Sequence, residues 1–167
     1  MNSKTKRLTT AAVTVAVALI LSFVESQIPA FVAIPGVKVG LANIAVIFTL
    51  YKLGTKTAIV VSILRVAMVS MLFGNVASLI YSISGAILSL AIMILLKKLT
   101  SLSTVAVSVC GGVMHNVGQI AAASVMLETN VVIYYLPFLL VAGTVAGTVI
   151  GIASALLIKR VKLKDQK

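Results

Sequence analysis

The 167-residue chain has one cysteine, one histidine, no tryptophan and only three acidic residues. Each scarcity excludes something. Cys110 has no partner for an internal disulfide, and no CxxC or Cys/His spacing suggests a metal site. The acids Glu25, Glu128 and Asp165 are far apart in sequence, and Asp165 lies in a basic tail. Magnesium-dependent chemistry on prenyl diphosphates needs clustered aspartates, because a hard cation requires several carboxylate oxygens. Gly54-Thr55-Lys56-Thr57 lacks the spacing of a phosphate-binding Walker A loop. A Ser–His–Asp triad is excluded because no acid lies near His115 to orient it. Neither an enzyme nor a resident cofactor is expected.

Charge is also scarce, at 10% of residues against about 25% in a soluble domain. Hydrophobic residues make up 60% and the mean hydropathy is +1.19. A soluble fold of this size has too little interior for that much apolar surface, so an all-α integral membrane protein is expected. The net charge of +11 does not indicate nucleic acid, because the basic residues are scattered in short clusters between apolar runs. The N-terminus, with Lys4, Lys6 and Arg7 before an apolar run, is like a signal peptide. That run is long, however, and no small-x-small cleavage site follows it. A retained first helix is expected.

Charges and helix breakers divide the chain into six spans in one domain: Leu8 to Val24, Val39 to Tyr51, Thr57 to Phe73, Val76 to Leu96, Thr104 to Met126 and Tyr135 to Ile158. The segment between the first two contains Pro29, Pro35 and Gly36 and reads as a long loop. The second span is short for a bilayer of about 30 Å, so it is expected to begin inside that loop. Twelve cations fall on one side of this arrangement: Lys4, Lys6, Arg7, Lys52, Lys56, Lys97, Lys98, Lys159, Arg160, Lys162, Lys164 and Lys167. The other side has Lys38, with Glu25 and Glu128. The asymmetry places both termini in the cytoplasm and makes the chain a multi-pass protein of the cell membrane.

Arg65 is the fourteenth cation and falls within a span. Ionisable groups inside a bilayer are costly and point to function. Counting helical rise from the basic side puts Arg65, His115 and Asn43 at about one depth. His115 and Gln119 share a helix face at i, i+4, and Asn116 flanks them. One reading is a small-molecule pocket near the midplane, open to the outside. Arg65 would take an anionic or carbonyl group, Asn43, His115, Asn116 and Gln119 would add hydrogen bonds, Tyr81 would line it, and Lys38 would stand at the mouth. The other reading is an interhelical hydrogen-bond network that fixes packing. The four-residue strip Gly143, Gly147, Gly151 and Ala155 reads as close packing within the bundle, and Ala12 and Ala16 form a shorter AxxxA strip.

The segment Pro35-Gly36-Val37-Lys38-Val39-Gly40-Leu41-Ala42-Asn43-Ile44 resembles the PGxKxGLANI segment of a bacterial membrane family. Leu64-Arg65-Val66, Tyr81-Ser82-Ile83-Ser84-Gly85, His115-Asn116-Val117-Gly118-Gln119 and Tyr134-Tyr135-Leu136-Pro137 look like its other recurring segments. The family is the Gx transporter family, also labelled heptaprenyl diphosphate synthase component I. It is similar to the substrate-binding S components of energy-coupling factor (ECF) transporters. The resemblance implies a six-helix bundle that captures a micronutrient or precursor outside the cell. It implies a membrane T component and two ATPase subunits as partners, with Ala12 and Ala16 contacting the T component. The label itself implies a different role, a non-catalytic membrane subunit of a prenyl diphosphate synthase.

Overall fold

The computed structural model describes residues 2–27 and 40–161. Among these the secondary structure is helical: α1 Ser3–Gln27, α2 Asn43–Lys52, α3 Thr55–Phe73, α4 Val76–Leu99, α5 Thr104–Met126 and α6 Leu136–Arg160. A single 3-10 turn, Val131–Tyr135, leads into α6. Five of the helices are long and apolar enough to cross a membrane. With α2 they form the expected all-helical bundle.

The local chemistry explains the breaks. At Gly74-Asn75, Asn75 Oδ1 accepts the Ser78 amide at 2.8 Å, and Ser78 Oγ accepts the Asn75 amide at 2.9 Å. This reciprocal capping box starts α4 within two residues of the end of α3. Ser103 caps α5 by accepting the Ala106 amide at 3.2 Å. Pro137 in the first turn of α6 suits a position whose amide would be unpaired in any case.

The short second helix behaves differently from the rest. The expected start at Val39 lies outside the described residues. From Gly40, with φ of +79°, the chain turns, and Asn43, Ile44 and Ala45 donate to carbonyls three residues back. Regular helix begins only at Asn43, so α2 has 10 residues and is about 15 Å long, half a bilayer. Ala45 to Leu50 are all buried. A helix apolar on every side belongs in an interior, and α2 supplies the centre. Val46, Ile47 and Leu50 pack with Ala58 of α3, Leu90 and Met93 of α4, Val107 of α5 and Ile150 of α6.

The contacts close a cycle of which α2 is one link: α1 packs on α3, α3 on α4, α4 on α5 and α5 on α6, and α2 joins α6 to α1. Neighbour directions follow from paired residues. Arg7 meets Thr57 and Phe23 meets Phe73, so α1 and α3 run parallel. Gly112 lies against Gly143 and Val109 against Gly147, so α5 and α6 run antiparallel. Such alternation gathers the described basic residues, Arg65 excepted, at one end of the bundle. There Arg7 donates to the Leu53 carbonyl. Lys97 donates to the Leu50 carbonyl at 2.6 Å and lies 4.8 Å over the Tyr51 ring. Both cations therefore sit at the C-terminal end of α2, where unpaired carbonyls and the helix dipole favour positive charge.

Candidate functional site

Asn43, Arg65 and His115 stand nine, ten and eleven residues along their helices from the basic end, or about 14, 15 and 16 Å. The structure distributes the polar groups over different seams of the bundle.

The first seam joins α1, α2 and α3. Arg65 is only 9% exposed, midway along α3. Its Nε is buried and meets no acceptor among the described residues. α1 packs along this helix, with Arg7 at Thr57 and Phe23 at Phe73. Glu25 Oε1 accepts the Gly40 amide, which ties the end of α1 to the entry of α2.

The second seam joins α4 and α5. A Cβ on Gly85 would stand 2.9 Å from His115 Cε1, 2.9 Å from Gln119 Cγ and 2.8 Å from the His115 carbonyl. His115 and Gln119 therefore lie directly on the bare backbone of Gly85, as their i, i+4 spacing predicts. Tyr81 is half-buried one turn from Gly85 on the same face of α4.

The third seam joins α5 and α6, and it claims Asn116. Asn116 is 7% exposed, and its Nδ2 donates to the Leu139 carbonyl at 2.6 Å. The glycine strip of α6 runs along the same seam. A Cβ at Gly143, Gly147 or Gly151 would come within 2.8 Å of Asn116 Nδ2, Val109 Cα and Val105 Cα respectively. The strip thus serves close helix packing within the chain. Asn43 faces a different place, a cavity with room for about one water molecule, lined also by Ser89, Ser108, Gly111 and Gly147.

Lys38 lies outside the described residues. Ala12 and Ala16 are exposed on α1, beside the exposed Val13, Val17 and Ile20. Reading the sequence alone singles out neither Glu25, Gly85 nor the serines of the cavity. Glu25 carries the one available signal, an acid within an apolar helix of a chain that has a single membrane-embedded arginine.

What this arrangement can do is hold hydrogen-bonding groups at mid-depth. Arg65 offers a charged donor and Gln119 both a donor and an acceptor. No group of three or more His, Cys, Asp or Glu that could hold a metal occurs among the described residues.

The family model for heptaprenyl diphosphate synthase component I matches residues 14–157, a stretch that contains every candidate residue except Ala12. No curated protein and no solved structure matches the chain. On the strength of that match along most of its length, this helical membrane protein belongs to the heptaprenyl diphosphate synthase component I family.

Proposed function

We propose that the chain is the substrate-binding S component of an ECF-type importer, capturing a small polar molecule from outside the cell. The observation that carries this reading is Arg65. A guanidinium about nine-tenths buried, midway along an apolar helix, with Nε unaccepted, is costly to keep for packing alone. A ligand carbonyl or carboxylate arriving at Arg65 would supply the missing acceptor. His115, Gln119 and Tyr81 on the α4–α5 seam, with Asn43 at the entry of α2, would contribute further hydrogen bonds. Lys38 would attract the ligand at the outer mouth.

Two further features support an importer subunit. The acids are too few and too dispersed for catalysis on a diphosphate. The exposed Ala12 and Ala16 give α1 a flat strip suited to close approach by another membrane helix, here the T component. The excess of cations at one end supports a cytoplasmic position for that end, where two ATPase subunits would couple through the T component.

The family's name favours a second reading, a non-catalytic membrane subunit that assembles with a soluble prenyl diphosphate synthase. Extraction of the tagged protein from its native membrane in mild detergent, followed by mass spectrometry, separates the two. The importer reading expects a T component, two ATPases and a bound small molecule. A stoichiometric soluble synthase rich in aspartate, with no small molecule, would overturn it in favour of the second.

A further inference from the structure

The backbone of α2 packs chiefly on α1, α3 and α6. Between its first turn and the α4–α5 pair lies the cavity lined by Asn43, Ser89, Ser108 and Gly111. Ser89 and Ser108 are each 3% exposed, in the interior of an apolar bundle. Glycine sets their approach. Ser89 Oγ of α4 lies 3.2 Å from where a Cβ on Gly111 of α5 would stand, so the hydroxyl reaches across to bare backbone. Ser108 is one turn before Gly111 on the same face of α5. Asn43 opens α2 opposite them. Among the described residues none of these three side chains makes a hydrogen bond. Three helices thus bring two hydroxyls and a carboxamide to one place without partners.

We infer that this cavity is a binding site for one water molecule, which ties the entry of α2 to α4 and α5. The site is independent of the importer reading. A buried hydroxyl or carboxamide without a partner is costly. A buried water makes about three hydrogen bonds, and the three side chains supply that number. Each serine hydroxyl donates or accepts and the carboxamide does both, so the hydrogens and the lone pairs of a water all find partners of the right kind. The cavity has room for one water and nothing larger. Its chemistry is wrong for a cation. Among the described residues no carboxylate lines it, and a hard cation requires several more oxygens than these side chains offer. The water does for the entry of α2 what Arg7 and Lys97 do for its other end, tying it to neighbouring helices.

The test uses the full chain in mild detergent, isotope-labelled at the side-chain amides of its asparagines, Asn2, Asn43, Asn75, Asn116 and Asn130. Cross-relaxation between each amide and water is measured by NMR in the laboratory and rotating frames. Opposite signs in the two mark a water held far longer than surface hydration, and Asn43 is expected to show them. Asn116, whose Nδ2 is committed to the Leu139 carbonyl, is the buried reference and is expected to show no signal. Gly111→Ala keeps all three polar side chains and places a methyl group beside Ser89, where the flexible end of Met93 yields. It is expected to abolish the Asn43 signal. No signal at Asn43 in the wild type overturns the site. So does its persistence in Gly111→Ala, because the signal then comes from exchanging serine hydroxyls. A saturable shift of the Asn43 amide when sodium chloride replaces choline chloride overturns water in favour of a cation. Should Gly111→Ala fail to fold, X-ray footprinting of the wild type decides. Met93 is 2% exposed and lines the cavity, so radicals reach its sulfur from a water held there. Oxidation of Met93 supports the site, and an intact Met93 beside oxidised Met71, which is 84% exposed, overturns it.

Discussion

Successive residues on a helix point about 100° apart, so neighbours in the chain can serve different seams. His115 and Asn116 do so. The first lies on Gly85 of α4, while the second donates to the Leu139 carbonyl of α6. The two therefore respond differently to substitution. Asn116→Ala removes a buried interhelical hydrogen bond and leaves the Leu139 carbonyl without that donor. We expect a loss of about 1–2 kcal/mol, read as a lower melting temperature in detergent, with any loss of ligand binding following from unfolding. Gln119→Ala removes a side chain from the α4–α5 seam that makes no interhelical hydrogen bond among the described residues. The melting temperature is expected to move little, within about 0.5 kcal/mol of stability, while binding of the co-purified ligand weakens. A Gln119 variant that melts early and binds normally would return this residue to packing.

At the scale of elements, α1 and α6 carry small-residue strips with opposite surroundings. That of α6 is buried: Gly147 comes so near Val109 that a methyl group at its Cα would stand 2.7 Å from backbone. Gly147→Ala must push α5 and α6 apart, at an expected cost of about 1–3 kcal/mol in thermal unfolding. The strip of α1 faces outward. Ala12→Leu with Ala16→Leu is expected to leave stability within about 0.5 kcal/mol of the wild type and to abolish co-purification of the membrane partner. Sequence alone makes these strips alike, because spacing reports which residues share a face and not what covers it. Most helix positions were legible from charges and breakers, as at Gly74-Asn75, because capping chemistry is local. The extent of α2 was less so, since a 10-residue apolar helix is viable only when other helices surround it. The contact of Glu25 with the Gly40 amide was illegible for a related reason. It joins the end of α1 to the entry of α2 through the packing of those two helices.

For the whole molecule, the alternating helix directions and the one-sided charge make a claim about orientation. Arg7 and Lys97 converge on the C-terminal end of α2, and Lys52, Lys56 and Lys98 belong to the same end. A bundle inserted the other way would carry these cations across the bilayer, against the strong bias that retains lysine and arginine in the cytoplasm. Two exposed loop positions report the outcome. Ser101 lies between α4 and α5 at the basic end, and Asn130 lies between α5 and α6 at the other. Cys110 is the sole native cysteine, so a Cys110→Ala background allows single cysteines to be read without interference. In intact cells a membrane-impermeant maleimide is expected to label Asn130→Cys and spare Ser101→Cys. After permeabilisation both should react. Labelling of Ser101→Cys in intact cells would place the basic end outside. Arg65 would keep its depth under that outcome, but the side from which a ligand reaches it would be reversed, and the importer reading would fall with it.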